Sequence, residues 1–487
     1  MTNLSGANLN NGAAVGPQGE CRKSTSRFPK YPAYKDSGVE WFGDVPCDWH
    51  VQRLKQVVNP SRPITYGIVQ AGENVPDGIP YIRPADMADE SGVKTEDALL
   101  RTSQEIASAY RRSSISVGDI VCSIGPSFGK LMMVPLSLEG ANLTQGTARV
   151  AVANVHVPRF IFWVLRSVES YQQWESSVGG ATFRALNLGP LAETFLCVPS
   201  WAEQTQIARF LDHETARIDA LIEEQQRLIE LLKEKRQAVI SHAVTKGLDP
   251  TVPMKDSGVE WLGEVPAHWV VAGLKWFWSV TDCKHITAEF VDDGVPLASI
   301  REVQCRYVSL ENAKQTTEFF YRQLIEAGRK PVAGDLIFSR NATVGEVAQV
   351  ADWHPPFAMG QDVCLLKKQF EWLSSDYLQA VLRSPVVTVQ LDNLMIGSTF
   401  KRVNVEDIRG LVVPMPPENE QQLIADYLNS ETGQFDSLLA ECQGTIGLLQ
   451  ERRSALISAA VTGKIDVRGW KPPASTQAPE LAVAEVV

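Results

Sequence analysis

The twelve residues KDSGVEWFGDVP, Lys35 to Pro46, return as KDSGVEWLGEVP, Lys255 to Pro266. A match of this length within one chain marks a duplication, and a duplication restricts the fold to two copies of one architecture. Shifting the second half onto the first by about 216 to 220 residues aligns further landmarks. VGDIVCSIGPSFGK (from Val117) meets AGDLIFSRNATVGE (from Ala333), and Gln145 in LTQGTARV meets Gln361 in AMGQDVCL. GATFRALN (from Gly180) meets GSTFKRVN (from Gly397), EQTQIARFL (from Glu203) meets EQQLIADYL (from Glu420), and KEKRQAVISHAVT meets QERRSALISAAVT. Each copy is a globular stretch of about 165 residues followed by one long helical segment. Between the landmarks, roughly 65–115 and 285–330, the copies have diverged almost beyond recognition. A frame kept twice around dissimilar inserts suggests one scaffold presenting two different readers.

At 487 residues the chain exceeds a single core. The expected division is a disordered lead-in (1–30), a globular domain (31–202), a long helix (203–246) and a linker (247–254). A second globular domain (255–418), a second long helix (419–465) and a disordered tail (470–487) follow. SWAE, Ser200 to Glu203, reads as the capping box that opens the first helix. Apolar residues then follow at spacings of four and three: Ile207, Leu211, Ile218, Leu221, Leu228, Leu232 and Val239. The second copy gives Ile424, Leu428, Phe435, Leu438, Leu449 and Leu456. The spacing predicts a heptad seam between helices of ~40 residues, each ~60 Å long. Glu214 matches Glu431 and Lys235 matches Arg452, with Gln225 and Cys442 midway. An antiparallel pair sets Glu214 against Arg452 and Glu431 against Lys235, whereas a parallel pair stacks like charges. The expected class is therefore α+β: two pseudo-symmetric globular domains separated by two long helices that form an antiparallel coiled coil.

Within each half, GDIVCSI, TARVAVANV, ETFLCVPS, GDLIFSR, DVCLLKK and GLVVPMP read as strands. PRFIFWVLRSVESYQQWES and SDYLQAVLRSPVVTVQLDNL read as helices. Asn404 reads as a helix cap with Asp407 three residues on, and Asn187 occupies the matching place without the acid. Two loops per half combine Gly, Ser or Thr with a cation: SIGPSFGK with Lys130, SRNATVGE with Arg340, GATFRALN with Thr182 and Arg184, GSTFKRVN with Thr399, Lys401 and Arg402. Backbone amides and cations on short loops suit phosphate or base-edge contacts. Turn glycines with solvated cations are the other reading of the same residues.

Several chemistries find no motif. GxxxxGK[ST], GxGxxG, HExxH and the NPPY or DPPY tetrapeptides of adenine methyltransferases are absent. The eight cysteines (Cys21, Cys47, Cys122, Cys197, Cys283, Cys305, Cys364, Cys442) form no CxxC pair, and no Cys/His cluster has zinc spacing. Free thiols in a reducing cytoplasm are expected. Asp119 and Asp335 follow glycine at a turn into a strand, a structural place. The net charge of −11 argues against a broad basic footprint while leaving local contacts open. No apolar run reaches the ~20 residues of a membrane span, and the polar N-terminus is no secretory signal. The residues point to a binding protein.

In combination the repeated KDSGVEW phrase, the G-x-TF loops and the EQ…AVT segments resemble the specificity subunit of type I restriction–modification systems, over about residues 34–466. The resemblance implies that each half is a target recognition domain reading one part of a split double-stranded DNA site. It implies that the antiparallel helices set the gap, which a ~60 Å helix bounds at ~18 base pairs, and dock two adenine-N6 methyltransferase subunits. A motor–nuclease subunit joins them. The chain itself is then non-catalytic and cofactor-free, with S-adenosylmethionine and ATP on the partners, acting in the cytoplasm and not at a membrane. Thr182, Phe183, Arg184 and Thr399, Phe400, Lys401 match the family's loop, and Glu203, Gln204, Glu420 and Gln421 its helix start. A subunit of a methylation-only phage-defence system and a coiled-coil scaffold that binds no DNA are the alternatives.

Overall fold

The computed structural model describes residues 28–472 except 89, 91, 179–183 and 396–401. The lead-in before 28 and the tail after 472 lie outside the described residues. Both ends of the described stretch are packed. Phe28 packs on Phe210, Pro29 accepts a hydrogen bond from the Asp466 amide (2.8 Å), and Trp470 closes on Phe210 from its other side. The chain forms two units: one runs through Glu223 and resumes at Ile446, the other is Glu224–Thr445.

The repeated phrase is a β-hairpin. Tyr34–Asp36 pairs with Asp44–Pro46 in the first unit, and Met254–Asp256 with Glu264–Pro266 in the second. Asp36 and Asp256 each accept the amide of the glycine two residues on, at 2.9 Å in both copies. Those glycines, Gly38 and Gly258, sit at φ 71° and 75°, where a side chain is strained. Behind each hairpin lies a fully buried tryptophan, Trp49 or Trp269. Trp49 shares its core with Ile457, Ala460 and Val461 near the end of the second long helix. Trp269 shares its core with Ile240, Ala243 and Val244 near the end of the first. Gly463 and Gly247 follow these helices at φ 73° and 75°. A Cβ on Gly463 would lie 2.4 Å from Pro46, and one on Gly247 3.3 Å from the Trp269 ring. The phrase is written twice because each hairpin seats a helix end.

Each unit carries a four-stranded antiparallel sheet. Its order is Thr65–Tyr66, Thr147–Val150, Ile120–Ser123, Leu131–Met133 in the first, and Trp278–Asp282, Val363–Lys368, Leu336–Ser339, Val347–Gln349 in the second. A smaller sheet contains one parallel pairing, Ile79–Ile82 with Asn142–Leu143 or Val295–Ala298 with Ala358–Met359. Arg101–Thr102 and Gln315–Thr316 flank these strands antiparallel. Helices Gln104–Ala109 and Glu318–Leu324 follow, capped by Ser103 and Thr317 hydroxyls. The diverged inserts thus keep a common three-stranded arrangement, to which the second adds Phe290–Val291 beside Gln315–Thr316. The class is α+β, as expected.

Three local expectations need correction. Each long helical reading in the globular halves is broken in two: Pro158–Leu165 and Val168–Val178, then Ser375–Leu382 and Pro385–Leu394. The second break falls at Ser384, whose hydroxyl bonds Val381 O at 2.6 Å, just before a proline that cannot donate. Ser200 Oγ accepts the Glu203 amide at 3.4 Å, but the Glu203 carboxylate turns to the Tyr31 hydroxyl, so the capping box is half made. Burial and that carboxylate together push the Tyr31 phenol well up. Asn404 and Asp407 do complete a box, while Asn187 makes no side-chain cap. Asp119 and Asp335 accept the Ser116 and Val332 amides at 2.8 and 2.9 Å, the turn role expected.

The third correction concerns the seam of the long helices, Trp201–Lys246 and Glu418–Val461. Their orientation is antiparallel. Arg453 bonds Asp219 at 2.8 Å in the first unit, and Arg236 faces Asp436 at 3.5 Å in the second. These pairs are repeat copies of each other, but they are not the expected ones. Arg452 and Lys235 are exposed, and among the described residues Glu214 pairs with its own neighbours His213 and Arg217. Glu431 has no ion pair among the described residues. Leu221, Leu228 and Leu438, placed on the expected seam, are 40 to 45% exposed. The buried line is Ile207, Ile218, Ile229 and Ile240, matched by Ile424, Phe435, a half-buried Ile446 and Ile457. That period is eleven residues, 3.67 per turn, close to the natural 3.6; a seven-residue line drifts ~20° per repeat off a straight helix and loses its place after two. Arg236 and Arg453 take over from Lys235 and Arg452 for this reason.

Two contrasts test the register in urea denaturation. Ile229→Ala is expected to cost ~2–4 kcal/mol and Leu228→Ala under ~1. Arg453→Ala, which takes from Asp219 its one ion-pair partner among the described residues, is expected to cost ~1–2 kcal/mol, and Arg452→Ala within ~0.5.

Candidate nucleic-acid interface

The turns after Ile120–Ser123 and Leu336–Ser339 are built alike. Ser123 Oγ donates to Ser127 O and accepts from Lys130 N, both at 2.9 Å; Ser339 Oγ bonds the Thr343 hydroxyl at 3.0 Å. Gly129 and Gly345 close them at φ 94° and 96°. Lys130 is exposed: Nζ reaches only Pro84 O, at 3.5 Å, and meets no carboxylate among the described residues. Arg340 does not point to solvent. It is 4% exposed, its Nη2 lying 3.1 Å from Asp282 and 3.5 Å from His285 Nε2. The reason is backbone pairing: Arg340 N donates to Asp362 O at 3.0 Å, so the residue continues the sheet inward and is not at the loop tip. Arg340 holds the fold and leaves the set of candidate contacts.

Thr182, Thr399 and Lys401, with Phe183 and Phe400, lie outside the described residues. Arg184 is exposed and paired with Glu175. Arg402 is half exposed, 4.0 Å from Asp362. Its backbone bridges Asn341, and Val403 N donates to Arg340 O at 3.0 Å. In the second unit, then, the two loops singled out by their composition are joined into one structure.

Sequence comparison missed the cations of the inserts. A cavity of roughly 650 Å3 in the second unit is lined by Lys284, Arg301, Lys314, Ser299, Gln361 and Asp362. Lys314 Nζ stands 4.4 Å over the Phe290 ring, and Lys284 pairs with Glu326 at 2.6 Å. In the first unit a cavity of roughly 580 Å3 is lined by Lys94, Lys130, Phe128, Tyr171 and Arg453, with the Phe128 and Tyr171 rings stacked at 5.8 Å. Arg83 bonds both oxygens of Asp86 at 2.9 and 2.7 Å, which raises the guanidinium pKa further. The inserts share no residues by which to align them, so no signal marked these positions. Exposed guanidinium, ammonium and amide groups on short turns can bond phosphate oxygens and base edges. Asp282, Cys283 and His285 bring ligand atoms within 4.8 Å of one another. The Arg340 cation on Asp282 opposes a metal ion there, and burial pushes the Cys283 thiol up, away from the thiolate a metal needs.

Residues 304–438 match the model of the type I restriction modification DNA specificity domain. The chain is 29% identical over 201 residues to the Type I restriction enzyme EcoBI specificity subunit of Escherichia coli, a match spanning 41% of this chain and 42% of that subunit. It is 22% identical over 314 residues to the MjaVIII specificity subunit of Methanocaldococcus jannaschii, covering 63% of this chain and 70% of the relative. A chain solved in work on complex assembly and conformational transition of the type I R-M system shares the fold, with a TM-score of 0.65 and 16% identity over 86% of this chain and 99% of that one. The duplicated α+β frame is therefore shared with that solved chain, and its second half is similar to a DNA specificity domain. In these stretches the chain is similar to specificity subunits of type I restriction–modification systems. No described helix is long and apolar enough to cross a membrane.

The two cations beside the matched turns separate fold from interface. Arg340→Ala removes the buried cation from Asp282, leaving it His285 at 3.2 Å, and is expected to cost ~2–4 kcal/mol in denaturant unfolding. Lys130→Ala is expected to stay within ~0.5 kcal/mol.

Proposed function

We propose that the chain is the DNA sequence-recognition subunit of a type I restriction–modification complex, each unit reading one part of a split double-stranded site. The observation that carries this is the pair of insert sheets: one three-stranded arrangement with a parallel pair, kept in both units and clad in unrelated residues. Selection that preserves a frame while changing what it displays fits two readers with different targets. Neither reader needs chemistry of its own. Two adenine-N6 methyltransferase subunits carry S-adenosylmethionine, a motor–nuclease subunit carries ATP, and the assembly works in the cytoplasm. The net charge of −11 fits a division in which the partners supply much of the phosphate clamp.

The long helices offer a docking surface for the methyltransferases. Leu221, Leu231, Leu438 and Leu448 are 40 to 68% exposed, and they are two repeat-related pairs. Leucines left off the buried isoleucine line of a helix suit an apolar partner surface. Leu231→Glu with Leu448→Glu is expected to abolish co-purification of the methyltransferase subunits while leaving the thermal unfolding of this chain unchanged.

The deciding experiment is single-molecule sequencing for N6-methyladenine in cells with and without this gene, beside its methyltransferase gene. A split motif of fixed gap is expected to vanish on deletion, and exchanging residues 50–200 for those of a relative should change one half of the motif only. An unchanged methylome with an active methyltransferase would overturn the reading in favour of a scaffold that binds no DNA.

A further inference from the structure

The strands of a parallel pair end at the same edge, so the segments leaving them run side by side, and a crevice opens outside their carboxyl ends. Each unit has one such pair among its described residues, Ile79–Ile82 with Asn142–Leu143 and Val295–Ala298 with Ala358–Met359. The departing segments are held alike. Thr144 N donates to Ile82 O at 3.2 Å and Gly360 N to Ala298 O at 2.7 Å. They run very close: a Cβ on Gly360 would lie 2.0 Å from Ser299 Oγ, and one on Gly146 3.0 Å from Pro84.

The first departing segment is the same acid-closed turn in both units. Asp86 Oδ2 accepts the Arg83 amide at 2.9 Å, and Glu302 Oε2 accepts the Ser299 amide at 2.9 Å. The return bonds, Asp86 N to Arg83 O and Glu302 N to Ser299 O, are 3.0 and 3.1 Å. On this shared turn the arginine has moved. It is the first residue in one unit, Arg83 with Ala85 two residues on, and the third in the other, Ser299 with Arg301 two residues on. The second departing segment carries an exposed glutamine at the matching place in both, Gln145 and Gln361. Arg301 and Gln361 both line the 650 Å3 cavity. Neither Arg301 nor either glutamine side chain has a hydrogen-bonding or ionic partner among the described residues.

We propose that these two turn-and-glutamine sites are the base-reading elements of the chain. Gln145 and Gln361 each bond an adenine edge, and Arg83 and Arg301 each bond a guanine edge in the major groove. The donor and acceptor pattern of a side-chain amide matches adenine N6 and N7, and a guanidinium fork matches guanine O6 and N7. The shared glutamine gives the half-sites a common base, and the displaced arginine gives each its own guanine position. Asp86 holds the Arg83 fork in place; Arg301 is unheld and free to settle on its base.

This inference rests on the proposed DNA-reading function, and its test separates the two. The full chain is expressed with its methyltransferase subunits, and the N6-methyladenine motif is read for Arg83→Gln, Arg301→Ala, Gln145→Met and Gln361→Met. Each variant is expected to lose roughly 10- to 100-fold discrimination at one position of one half-site only. Arg83→Ser with Ala85→Arg, which copies the second unit's arrangement onto the first, is expected to move the guanine preference within the first half-site. A split wild-type motif that all variants leave unaltered would overturn the assignment and keep the function; no wild-type motif at all would overturn both. Where a variant abolishes methylation, the purified complex is titrated with its own site and with single-base changes. Uniform weakening on all duplexes would mark a phosphate contact and overturn the assignment, and lost discrimination with retained binding would support it.

Discussion

Each unit's core is finished by the end of a helix that begins among the residues of the other. Ile457, Ala460 and Val461 enter the core of Trp49, and Ile240, Ala243 and Val244 enter that of Trp269. Removing either helix end from water requires its tryptophan, its hairpin and the left-handed glycine that lets the chain turn off the helix. The closeness of the two KDSGVEW phrases follows from this packing. A close-packed seat around a large ring tolerates little change in volume, so both copies have kept nearly the same residues.

Antiparallel pairing follows from the same closure. Within the first unit the early part of one long helix lies beside the late part of the other, and within the second unit the roles are exchanged. The charges then agree with that arrangement and did not create it. Arg453 with Asp219 and Arg236 with Asp436 decorate a seam whose free energy comes from apolar residues, seven isoleucines and Phe435, at every eleventh place. Reading the seam as heptads gave the right orientation with the wrong partners, because Leu221, Leu228 and Leu438 imitate a seven-residue pattern from exposed positions.

The inserts carry the opposite constraint. Their sheets need only short strands, one buried side and an acid to close the turn after the parallel strand. Many sequences meet those terms, so the residues have drifted while the topology stayed. A drifting surface on a fixed turn is what allows an arginine to occupy Arg83 in one copy and Arg301 in the other. The conserved frame and the changing display are consequences of where packing is tight and where it is not.

By itself the sequence determined the duplication, the α+β class, the six globular-half strands read from apolar runs, the two long helices and their reversed pairing. It also identified the loops around Lys130 and Arg402 as places where polar groups gather. These were legible because repeats, apolar periodicity and turn residues act over a few neighbours, and the chain states each of them twice. Only the tertiary structure decided that Arg340 turns inward to Asp282, that Glu203 answers Tyr31 rather than its cap, and that the seam runs through Ile229 rather than Leu228. Only the tertiary structure aligned Arg83 with Ser299 and Asp86 with Glu302 across inserts with no common residues. Such facts depend on which backbone atoms from distant segments meet, and the pattern of a single segment carries no record of that.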